Sequence, residues 1–119
     1  MTPDELRRLA GRKRAEADEM AADADRLRVQ AAALQGLLDP LVSISQQVWV
    51  GPAAADFEFD VRAHGSSVDA QADRLRSIAG QLDQRAASAR HTASVLDAEA
   101  IAAEVTASTV GSATAVGVR

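Results

Sequence analysis

Apolar residues return every seven positions along most of this chain. In the first half, Leu6, Met20, Leu27, Leu34, Leu41 and Val48 form one row, interrupted only by Lys13. Four residues on, Ala10, Ala17, Ala24, Ala31, Leu38 and Ser45 form a second. Alternating large and small rows at heptad spacing predict a long helix with one packing seam. The second half repeats the design. Val61, Val68, Leu75, Leu82, Ala89 and Leu96 make the larger row, and Gly65, Ala72, Ala79, Ala86, Ala93 and Ala100 the smaller.

Punctuation sets the boundaries. Thr2 suits an N-cap, Pro3 the first helical position, and Glu5 completes a capping box, so the first helix is predicted over 3–48. Asp39-Pro40 predicts a kink or break near Pro40. Trp49-Val50-Gly51-Pro52 predicts a turn over 49–52, with Gly51 ending one helix and Pro52 opening the next. The second helix is predicted over 53–105, with a weak point at Gly65-Ser66-Ser67. Residues 106–119 are small and glycine-punctuated, and are expected to form a flexible C-terminal tail.

Two such helices joined by so short a turn must fold back on each other. The expected fold is therefore all-α: an antiparallel two-helix hairpin (helix–turn–helix). Leu9, Leu37, Ile44, Ile78, Val95 and Ile101 flank the seam, and nothing else in the chain is left to cover them. The hairpin is thus expected to dimerise into a four-helix bundle, with a protein partner supplying the other two helices.

Composition sharpens this picture. Of 119 residues, 27 are alanine and only Trp49, Phe57 and Phe59 are aromatic. Alanine buries little area, so close-packed helices are favoured over a thick core. The absence of cysteine excludes disulfides, thiolate metal sites and thiol nucleophiles. Net charge is −4, which with so few rings argues against nucleic acid as a partner. The first residues lack the apolar region of a classical signal peptide, and no stretch is long and apolar enough to span a membrane. Arginine outnumbers lysine twelve to one. With the alanine excess, this points to a GC-rich coding sequence.

Trp49, Gly51, Ala53, Ala54 and Phe57 read as W-x-G-x-A-A-x-x-F between the two patterned segments. In this context the chain resembles the WXG (Esx-like) family of small helical hairpins handled by type VII secretion. The layout covers about residues 3–105 and the specific signal residues 49–57. At a hairpin tip, the Trp49 ring can cover the end of the first helix and pack beside Phe57. Gly51 supplies backbone freedom, and Ala53 and Ala54 keep the first turn of the second helix thin.

The resemblance implies a partner, either a second WXG-type chain or the helical region of a secreted toxin, together with the export machinery. It also implies a cytoplasmic protein that is then secreted without a signal peptide. Exported family members, or one subunit of each pair, usually carry a Y-x-x-x-D/E signal after the second helix. This chain has no tyrosine. It would then be the subunit exported with a signal-bearing partner, or a cytosolic escort.

Other groupings have plainer readings. Arg7, Arg8, Arg12, Lys13 and Arg14 form a basic cluster that the acidic block Glu16, Asp18, Glu19, Asp23 and Asp25 offsets. Arg12–Glu16 and Arg14–Asp18 are spaced to pair along one helix. His64 and His91 lie too far apart on one helix to share a metal, and Asp60 with His64 makes at most half a site. No catalytic arrangement, metal or cofactor is expected. The partner interface and hairpin seam are assigned to Leu6, Met20, Leu27, Leu34, Leu38, Leu41, Val48, Val61, Val68, Leu75, Leu82 and Leu96. The expected function is non-enzymatic protein interaction in type VII secretion, as co-secreted substrate or targeting partner. The alternatives are a membrane-acting effector, for which the aromatic anchors are lacking, and a generic structural coiled coil.

Overall fold

A computed structural model describes residues 1–48 and 52–117, and the side chains of residues 1–37, 40, 52, 53 and 55–110. The chain is all-helical among these residues, with two long helices packed against each other: α1 (Pro3–Val48) and α2 (Pro52–Gly117).

The start of α1 follows from its first residues. The Glu5 amide donates to Thr2 Oγ1 at 3.2 Å, and the Thr2 amide donates to Glu5 Oε2 at 3.2 Å. The Leu6 amide reaches the Thr2 carbonyl at 3.0 Å. These reciprocal bonds satisfy donors that a helix start leaves without partners. Asp4 and Glu5 also place negative charge at the positive end of the helix dipole.

Helix α1 has the predicted span, and α2 runs beyond its own. Pro40 lies inside α1, which continues without a break to Val48. A proline removes one backbone bond and crowds the carbonyl four residues back. That carbonyl belongs to Gly36, which has no side chain and open space where one would be. At the other end, α2 does not stop near residue 105 but continues to Gly117, across most of the segment expected to be a tail. No proline intervenes there. The Thr106 and Thr109 hydroxyls each bond back to a carbonyl one turn earlier, Ala102 and Val105, both at 2.9 Å. This local bonding accommodates polar side chains in a helix. Likewise α2 passes through Gly65-Ser66-Ser67 unbroken.

The chain divides into two compact units. One comprises Met1–Ala21 with Gln84–Arg119, and the other Ala22–Asp83. In the first, the buried apolar residues are Leu6, Ala10, Ala17, Ala86, Ala93 and Ala100. In the second they are Ala24, Ala31, Ala72 and Ala79. Every buried alanine is at most 1% exposed, and all sit on the small heptad rows. A residue on a helix hairpin can be sealed this completely only by facing the other helix, so the seam is built on alanine.

The larger rows behave differently. Met20, Leu27, Leu34, Val61, Val68, Leu75, Leu82 and Leu96 are all half-buried, and among the described residues no large side chain is fully enclosed. Alanine brings the helix axes close, and longer side chains beside it then splay outward along the groove between them.

Candidate protein-interaction surface

Each helix has two flanks beside its alanine row: one carries charges that pair across the helices, and the other is mixed, with Leu37, Phe57 and Ile78 set among Glu16, Asp23, Gln30, Gln71, Arg85, Thr92 and Glu99. One flank lies four residues beyond each alanine. In the unit Met1–Ala21 with Gln84–Arg119 it carries Arg7 and Arg14 on α1, which pair across to Glu104 and Asp97 on α2. In the unit Ala22–Asp83 it carries Arg28, paired with Asp83, and Gln35, whose amide oxygen accepts from Arg76. The Gln35 amide nitrogen also donates to Asp69 at 3.2 Å. Successive cross-pairs step by one heptad on both helices in opposite directions, which defines an antiparallel register within each unit.

The electrostatics follow from these contacts. The hydrogen bond and the opposite charge of Glu104 raise the Arg7 pKa above its ordinary value, and the bond from Arg7 holds the Glu104 carboxyl below its own. Arg28 is raised in the same way by its bond to Asp83.

The other flank lies one residue before each alanine row. In the unit Ala22–Asp83 it presents Leu37, 69% exposed, from α1, and Ile78, 41% exposed, with Phe57 from α2. Val29 and Phe59, the latter 73% exposed, add apolar surface on outer faces of the same unit. In the other unit Val95, Ile101, Val105 and Val110 are exposed on faces away from this flank, whose positions there include Thr92 and Glu99.

The residues singled out in the sequence are distributed accordingly. Leu6 is buried, and the larger-row residues Met20 to Leu96 named above are half-buried between seam and solvent. Ala53 is exposed. Trp49 and Gly51 lie outside the described residues, as do the side chains of Leu38, Leu41, Ile44, Val48 and Ala54.

Three charge readings change. Arg14 pairs with Asp97 rather than with Asp18 along its own helix. Asp18 instead accepts from Arg90 at 3.3 Å, and Glu16 pairs with Lys13. The facing helix brings an opposite charge onto the flank, a contact that spacing within one helix cannot reveal. His64 is exposed, and its Nδ1 donates to the Asp60 backbone carbonyl at 2.7 Å rather than meeting the Asp60 carboxylate.

Among the described residues no group of three or more His, Asp or Glu side chains is placed to hold a metal ion. Likewise no helix is long and apolar enough to cross a membrane. Comparison with protein-family models, with curated proteins and with solved structures finds no match to this chain.

Proposed function

We propose that this chain is a non-enzymatic interaction protein whose hairpin pairs with a second helical hairpin into a four-helix bundle. The observation that carries this reading is the incomplete burial of the larger heptad rows. Eight Leu, Met and Val positions patterned for a core remain half-exposed, and Leu37 and Ile78 widen the apolar strip beside them. A second hairpin laid along the strip would cover both, in the manner of bundle packing.

The context for this pairing is type VII secretion, on the strength of the W-x-G-x-A-A-x-x-F sequence at 49–57. The helix boundaries support it: α1 ends at Val48 and α2 begins at Pro52, so Trp49 to Gly51 join the two. The partner is a second WXG-type chain or the helical region of a secreted toxin. The missing tyrosine makes that partner the carrier of the export signal, with this chain travelling beside it or escorting it within the cytoplasm.

Light scattering with circular dichroism on the purified chain tests the bundle. A helical dimer, or a marginal monomer that gains helicity with its partner, is expected. A fully helical, thermally robust monomer that gains nothing from any hairpin partner overturns it. The secretion role is tested separately by Trp49→Ala, which should lose export while retaining partner binding. Normal export of that variant removes the tip from the mechanism.

A further inference from the structure

We propose that the charged flank, and not the alanine seam, sets the register of α1 against α2, and that Arg90 is the residue that makes slipped registers unfavourable. The alanine rows alone do not choose a register. They repeat strictly at seven residues on both helices, from Ala10 to Ala31 and from Ala72 to Ala100. Sliding one helix by one heptad again sets alanine against alanine.

The flank does distinguish the registers. In the observed one, Arg7 meets Glu104, Arg14 meets Asp97, Arg28 meets Asp83 and Gln35 meets Arg76. The heptad between Arg14 and Arg28 is the exception. Its α1 position is Ala21, and the α2 residue due opposite is Arg90. No arginine faces Arg90 there, and it reaches along α1 to Asp18 at 3.3 Å.

A slip of one heptad in one direction would set Arg14 against Arg90 and Arg28 against Arg76. The opposite slip would set Arg28 against Arg90. Arg90 therefore meets an arginine in both neighbouring registers and a small neutral residue only in the observed one. Like charges placed opposite each other select against a pairing even where the attractive contacts are weak.

The lack of cysteine gives a clean test. Arg12→Cys and Thr106→Cys, both on exposed positions outside the ladder, accept nitroxide labels whose separation dipolar spectroscopy reads. An excess of unlabelled chain keeps the measured pairs within one molecule. One heptad at about 1.5 Å per residue moves the helices past each other by about 10 Å. The parent chain should give one distance. Arg90→Glu should add a second population, because the introduced carboxylate would then face arginine in either slipped register. Adding Ala21→Arg to that variant supplies a partner in the observed register and should restore the single distance. A single unchanged distance in the helical Arg90→Glu chain overturns the proposal. Should that chain lose its helicity, a single unchanged distance in Arg90→Ala, which removes the like-charge contact from both slipped registers, overturns it equally.

Discussion

Arg14 on α1 reaches across to Asp97 on α2, one heptad along each helix from the Arg7–Glu104 pair. Both members of the Arg14–Asp97 pair keep a third or more of their side-chain surface in solvent. Water screens such a pair, and holding two long side chains in place costs entropy, so its coupling is typically below about 1 kcal/mol. A double-mutant cycle with Arg14→Ala and Asp97→Ala should return a value in that range, falling further at high salt. A large coupling that salt leaves unchanged would contradict this account.

The seam should be intolerant of bulk. Ala17 is fully buried in a row that depends on small side chains. Ala17→Leu has no room and must push the helices apart, costing roughly 1–3 kcal/mol. Ala15→Leu, on an exposed position of the same helix, is the control and should be close to neutral. Thermal unfolding followed by circular dichroism separates them, and equal melting temperatures would show that the seam is not tight.

Glycines inside the helices offer the opposite change. At Gly11 and Gly80 an added Cβ meets nothing within 4 Å. Glycine in a helix interior is roughly 0.5–1 kcal/mol less favourable than alanine, because its unfolded chain has more conformations to lose. Gly11→Ala and Gly80→Ala should each raise the melting temperature, and the two should be nearly additive because the sites lie in different units. A decrease at either site would mean that a neighbour occupies the space.

The Glu104 carboxyl has its pKa lowered from the ordinary value of 4.5, chiefly by the hydrogen bond from Arg7. Its contribution to stability is therefore fully present above that ordinary value. It is lost as pH falls through the lower value of the folded state, where the bond is broken by protonation. Acid melting curves should show a smaller decline for Glu104→Gln than for the parent. Superimposable curves would mean that the pair adds no pH dependence.

Much of this architecture is legible in the order of residues. The heptad rows predict two helices and one seam, and the Thr2–Glu5 box marks the first start because its bonds are local. The small rows hold all the buried alanines, whereas of the described residues assigned to the seam only Leu6 is buried and the rest are half-buried. The extent of α2 is less legible. Residues 106–117 are small and glycine-punctuated, which reads as a tail, but no proline interrupts them and the helix continues to Gly117. The motif at Trp49 and Gly51 rests on sequence, because those residues lie outside the described structure.

Residue order alone is enough to make the chain helical and to cap the start of α1, because both depend on contacts within a few residues or on a simple period. Folding was needed to show that alanine rather than leucine fills the seam, and that Arg14 turns to Asp97 and Asp18 to Arg90. Those outcomes depend on how closely two distant segments approach and on which residues then stand opposite. A heptad period leaves that open, because it repeats unchanged under every slip of seven residues.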